Sequence, residues 1–182
     1  MLFVASNRRL ATRCPPGLGR RLVQHGNPAL IRPATADDLP SLQEIRQAAF
    51  APVFASFRLM LRDDSYELVQ QREDEAQREL LDSLLAQQPP WQVHVAELAG
   101  TIVGFVALKL NQETQVGEIG LNAVHPSHAG HGIGTTMYEF VLSRMKEAGI
   151  RAATVATGAD ASHAPARRAY QKVGLAAQIP SV

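Results

Sequence analysis

The sequence predicts one α/β domain: a mixed, mainly antiparallel central sheet flanked by helices. Three observations carry that prediction. Strand-like and helix-like runs follow one another in the order β-α-α-β-β-β-α-β-α. Trp91 to Leu98 and Thr101 to Leu110 are joined by Ala99-Gly100, a hairpin signal that makes them antiparallel neighbours. A third strand-like run, ending at Val124, passes through a loop with three glycines in five residues straight into a helix-like run, Ile133 to Met145.

The chain has 182 residues, 46% hydrophobic and 19% charged, enough for one soluble domain with a sizeable core. Residues 1–27 hold Arg8, Arg9, Arg13, Arg20 and Arg21 and no acid. Such a start is similar to a mitochondrial transit peptide. Pro15-Pro16-Gly17 and Gly19 punctuate it, however, and no amphipathic period emerges, so a flexible basic extension fits better. Residues 28–182 then form the domain.

Ala29 to Arg32 reads as a short strand. Thr35 to Pro40 is a helix start, with acids in the first turn and Pro where a missing N–H costs little. Leu42, Ile45 and Ala49 fall on one face of that helix. Phe54, Phe57 and Met60 precede a second helix from about Tyr66 to Ala86, striped by Leu80, Leu81, Leu84 and Leu85, with Asp74 and Arg78 as a solvated i,i+4 pair. Pro89-Pro90 ends it. After the hairpin comes a strand from Gly117 to Val124, then the glycine loop and a helix with Ile133, Met137, Phe140, Val141 and Met145 inward. Gly149 stops that helix, Ala152 to Thr157 is a strand, and a short helix from Pro165 to Val173 ends at Gly174.

Composition narrows the function classes. Cys14 is the only cysteine, which leaves no disulfide framework or Cys-based zinc site and suits a reducing, cytoplasmic setting. No apolar run approaches the ~20 residues of a membrane span. Beyond residue 27 there are 13 basic against 17 acidic residues, a poor balance for a nucleic-acid binder. His125, His128 and His131 form an H-x-x-H-x-x-H pattern. Pro126, a loop setting and the absence of cysteine partners argue against a metal there.

The loop Ala129-Gly130-His131-Gly132-Ile133-Gly134-Thr135 carries the chemistry. Small residues at a helix N-terminus leave backbone N–H groups bare, ready for an anionic group, usually phosphate. No lysine follows in P-loop register, and no G-x-G-x-x-G spacing or ribose-binding acid suggests a dinucleotide.

Four blocks resemble the GNAT superfamily of N-acetyltransferases, from about Ala29 onward. They are Gly100-Thr101-Ile102-Val103-Gly104-Phe105, then Glu118-Ile119-Gly120-Leu121-Asn122-Ala123-Val124-His125-Pro126, the glycine loop, and Ala166-Arg167-Arg168-Ala169-Tyr170-Gln171-Lys172-Val173-Gly174-Leu175. The family's pyrophosphate motif, Gln/Arg-x-x-Gly-x-Gly/Ala, maps onto Ala129 to Gly134, with Ala129 in place of the usual Gln or Arg and His131 where many members carry Lys or Arg.

The resemblance implies acetyl-CoA as co-substrate, no metal, and a small-molecule or peptide amine as acceptor. An acyl-CoA-binding module with little catalysis is the alternative. A bulged strand before the loop is implied, with Ala123 and Val124 beside pantetheine and the Val124 N–H on the thioester carbonyl. The loop residues, Thr135 included, would hold pyrophosphate, and His163 stands where many members carry Asn beside pantetheine. Glu118 is the candidate general base. Strand alternation places it on one face with Gly120 and Asn122. Tyr170 matches the general acid. Arg167, Arg168 and Lys172 are candidates for the CoA 3′-phosphate, and Phe54, Phe57 and Met60 for the acceptor wall. Only Gly174 to Val182 follow the last helix, so the family's final hairpin reads as truncated, leaving a sheet edge that is bare or closed by a second subunit in a homodimer.

Overall fold

A computed structural model describes residues 2–6, 29–61, 63–86 and 90–179. The chain runs β1 (Leu2–Ser6), β2 (Leu30–Pro33), α1 (Leu39–Met60), α2 (Asp63–Val69), α3 (Gln71–Ala86), β3 (Trp91–Leu98), β4 (Thr101–Asn111), β5 (Val116–Val124), α4 (Ile133–Glu147), β6 (Ala152–Ala156), α5 (Ala164–Lys172) and β7 (Ala177–Ile179). Seven strands form one sheet in the order β2-β3-β4-β5-β6-β1-β7. Every neighbouring pair is antiparallel except β5 and β6, which α4 connects in parallel.

The β3–β4 hairpin turns on Ala99 at φ +50° and Gly100 at φ +81°. Two positive angles match the right-handed twist of the strands they join. Before α1, the Asp38 carboxylate accepts from the Thr35 N–H at 2.8 Å and pairs with Arg32, which also reaches Glu97 at 2.9 Å. One guanidinium thus ties β2, β3 and the helix start together. It holds the Asp38 carboxyl down at about 2.

Two apolar layers sandwich the sheet. Leu42, Ile45, Leu81 and Leu84 of α1 and α3 pack on Val93, Val95, Phe105 and Ala123. On the other face Met137, Val141 and Met145 of α4 and Tyr170 of α5 pack on Val106, Leu108, Ile119 and Val155.

Three elements differ from the sequence reading. The first helix extends to Met60 and takes in Phe54, Phe57 and Met60, with Pro52 inside it. The second is two helices that part at Gln70. Leu80, expected in its apolar stripe, is exposed while Leu81 and Leu84 are buried. The largest difference is β1. Leu2 to Ser6, expected within the extension, pair with Ala156 to Ala152 of β6, and Leu2 to Val4 pair with β7. The chain's own first residues thus lie in the sheet between β6 and β7, where the sequence reading left an edge bare or closed by a second subunit. The side chain of Asp74, and with it the Asp74–Arg78 pair, lies outside the described residues, as does Pro89.

Candidate functional site

β5 carries the bulge. Val106 pairs with Asn122 and Leu108 with Ile119, so Gly120 and Leu121 together oppose Ala107. The extra residue reverses the strand's facing. Glu118 stands opposite Lys109, whose ammonium lies 5.7 Å from the Trp91 ring centroid, and a Cβ on Gly120 would overlap that same ring. Asn122 turns to the opposite face, toward Tyr138 and Tyr170. The expectation that Glu118, Gly120 and Asn122 share one face is therefore corrected. Alternation presumes an unbroken ladder, and the bulge breaks it past Gly120.

The same place opens the sheet. The β5–β6 ladder runs from Val116–Ala152 to Ile119–Val155 and ends there among the described residues. Beyond it the His125 N–H donates to Val103 O at 2.8 Å, toward β4. Successive peptide groups point to opposite sides of a strand, so the Val124 N–H faces the opening next to β6. Ala123, one residue back, packs into the α1 layer. Glu118 is exposed on the α1 face of the sheet, one residue before the paired stretch ends.

A short turn, Pro126–His128, leads from β5 to the loop. Gly130 and Gly132 both hold φ +82°, the left-handed region that costs an L-residue its Cβ clearance. Apart from the glycine and its two chain neighbours, no atom lies within 4 Å of where a Cβ would sit on either glycine. Gly132 caps α4, its carbonyl accepting from the Thr136 N–H at 3.0 Å. The first-turn N–H groups of Ile133, Gly134 and Thr135 lack intrahelical acceptors and sit at the positive end of the helix dipole. A Cβ on Gly134 would make only ordinary contact, 3.9 Å from Val124 Cγ2. The loop therefore ends directly beside the Val124 opening. Ala129 brings no side-chain donor, and His131 stands exposed. His125 reaches Glu44 of α1 at 3.2 Å, and its other ring nitrogen shares the Ser127 hydroxyl with His128. Among the described residues no group of three or more His, Cys, Asp or Glu is placed to hold a metal ion.

Helix α5 closes the site from the opposite face. Tyr170 is 2% exposed and its hydroxyl accepts from Asn122 Nδ2 at 3.2 Å. His163 caps α5, its Nδ1 held at 2.6 Å by Asp160 Oδ1. Ser162 also donates to the Asp160 carboxylate. Burial would raise that carboxyl, but the Ser162 and His163 bonds bring it below its ordinary range. Arg167 donates to the carbonyls of Gly158 and Asp160 at 2.6 and 2.7 Å, so its guanidinium braces this turn. Arg168 and Lys172 are exposed.

One residue at the site escapes the sequence reading. Tyr138 of α4 is 4% exposed, stacks obliquely on Tyr170 with ring centroids 4.8 Å apart, and donates to Asn122 Oδ1 at 2.7 Å. Its position one residue after Met137, on the buried face of α4, was the available signal. That signal points to the core and not to a partner on α5.

The family model of the GNAT acetyltransferases matches residues 54–175. Solved structures share the fold. A GNAT family acetyltransferase from Brucella melitensis, in complex with acetyl-CoA, is 22% identical with a TM-score of 0.55, covering 82% of this chain and 83% of its own. The PaiA N-acetyltransferase of Thermoplasma acidophilum, in complex with coenzyme A, is 20% identical with a TM-score of 0.62, covering 79% and 87%. The ribosomal-protein-S18-alanine N-acetyltransferase of Escherichia coli is 15% identical with a TM-score of 0.57, covering 80% and 76%. No curated protein matches the chain by sequence.

Proposed function

The chain belongs to the GNAT acetyltransferase family, and from that membership we propose that it moves an acetyl group from acetyl-CoA to a primary amine by direct attack, without a covalent enzyme intermediate. The observation that carries this reading is the opening past Ile119, with the glycine loop beside it and Tyr170 hydrogen-bonded to Asn122 of the bulged stretch. The residues fit the co-substrate. The bare N–H groups of Ile133, Gly134 and Thr135 at the start of α4 suit a pyrophosphate, and the open space over Gly130 and Gly132 admits one. His163, its ring held by Asp160, is the candidate for a hydrogen bond to the pantetheine arm.

Bound acetyl-CoA supplies an activated acyl group, and the chain's own residues do the rest. The Val124 N–H polarises the thioester carbonyl as a fixed dipole that needs no reorganisation. Glu118 takes the proton that an ammonium acceptor must lose, through a water where the distance demands it. Tyr170 returns a proton to the departing sulfur. Burial holds the Tyr170 phenol above its ordinary value, so it stays protonated at neutral pH.

Calorimetry with acetyl-CoA, followed by thiol release with a panel of small amines, aminoglycosides, peptide N-termini and lysine peptides, tests the proposal. Binding together with release by at least one amine class is expected. Binding without release supports an acyl-CoA-binding module, a reading that Ala129 favours because it removes one side-chain donor from the loop. Failure to bind overturns both.

A further inference from the structure

Asn122 sits between two phenols. Its Nδ2 donates to Gly120 O at 2.8 Å and to Tyr170 Oη at 3.2 Å, while its Oδ1 accepts from Tyr138 Oη at 2.7 Å and, more distantly, from the Tyr170 hydroxyl at 3.4 Å. A backbone carbonyl only accepts, so Gly120 fixes which end of the amide is nitrogen. Gly120 belongs to the bulge, and the bulge is what turns Asn122 to this face. Tyr138, Asn122 and Tyr170 come from α4, β5 and α5, and the two phenols are almost wholly buried. We propose that Tyr138 and Asn122 are positioning residues: the Asn122 amide joins the two phenols, accepting from Tyr138 and holding an N–H on the Tyr170 oxygen, and this relay makes Tyr170 competent to release its proton.

The inference rests on the role given to Tyr170 above. In that step the Tyr170 O–H bond breaks, its proton forms the S–H bond of the leaving thiol, and the electron pair stays on the phenol oxygen. A buried phenolate is costly unless it is hydrogen-bonded. The Asn122 N–H already points at the oxygen where that charge develops, and the Tyr138 O–H polarises the amide from its other end. Charge-assisted bonds are about twice as strong as neutral ones, so the contact tightens as the proton leaves. The directions of the phenol acidities agree. Burial raises Tyr170, and its hydrogen bonds to Asn122 and to Tyr138 pull it back down, so Tyr138 acts on Tyr170 both through the amide and directly. Burial and the neighbouring Tyr170 push Tyr138 well above its ordinary value, which keeps it a proton donor to the amide.

Asn122→Ala and Tyr138→Phe test the relay, each made in the full chain alone and together with Tyr170→Phe. The probe is thiol release from acetyl-CoA with the fastest amine of the panel. Asn122→Ala should lower kcat by about tenfold to a hundredfold, and Tyr138→Phe by about threefold to tenfold, with KM for acetyl-CoA within about twofold. Tyr138→Phe removes one oxygen and keeps the ring, so it reports even if Asn122→Ala does not fold. In the Tyr170→Phe background both substitutions should change kcat by less than about twofold, because the proton they serve is gone. Undiminished effects in that background would overturn the relay and leave the two residues as packing. Full turnover in Tyr170→Phe alone would instead overturn the role of Tyr170.

Discussion

Gly132 shows how much of the site hangs on one backbone angle. At φ +82° it caps α4 and turns the chain so that the next N–H groups face outward. A side chain there has space but the wrong conformation, at a cost of roughly 1–2 kcal/mol. Gly132→Ala should therefore lower stability by about that much in urea unfolding and weaken acetyl-CoA binding in calorimetry. Asp38 acts at the start of α1. Its folded value of about 2 lies below its ordinary 3.8, so it contributes stability at and above pH ~4, and that contribution is lost as pH falls toward 2. The part-exposed Arg32 partner softens the effect, which leaves roughly 1–2 kcal/mol. Urea unfolding from pH 5 down to 2.5 should show the wild type losing its advantage over Asp38→Asn in that window. A constant difference across the range would show that the pair is not the source.

Among the elements, β5 sets which side chains face each side of the opening. Its bulge puts Glu118 on the α1 face and Asn122 on the α5 face, so one strand presents a carboxylate and an amide to opposite sides of the opening. Gly120 makes this possible, since a Cβ would meet the Trp91 ring. Gly120→Ala should destabilise the fold by about 1–3 kcal/mol in denaturant and slow thiol release, because Trp91 or the bulge must shift. The sequence made the loop, α4, the β3–β4 hairpin and Tyr170 legible, since glycines at fixed spacing and an apolar period of 3.6 are local signals. It did not show the facing of Asn122 or the partnership of Tyr138. Facing past a bulge depends on register with β4, and the two phenols meet across 32 residues of chain only through tertiary packing. The break at Gln70 was hidden for a related reason: no Gly or Pro flanks it and most of its neighbours favour helix, so propensity alone sees no boundary.

The whole molecule is held at one side of its sheet by its own first strand. β7 pairs with β1 and β1 with β6, so the strand that opens the chain links the sheet to the strand nearest its other end. Leu-Phe-Val-Ala-Ser reads as a strand only once a bare edge is there to receive it, and the arginines that follow drew the sequence reading toward an extension. Removing residues 2–6 should expose the β6 edge, lower the melting temperature by several degrees and promote self-association in size-exclusion chromatography. An unchanged melting temperature and elution volume would show that β1 contributes nothing to the sheet. No described helix is long and apolar enough to cross a membrane.

The catalytic claim is tested most directly by comparing the wild type with Tyr170→Phe, pairing calorimetric binding of acetyl-CoA with thiol release in the presence of the best amine acceptor. Dissociation constants within about twofold of each other are expected, with turnover about a hundredfold slower in the variant. Equal turnover in the two proteins would contradict it.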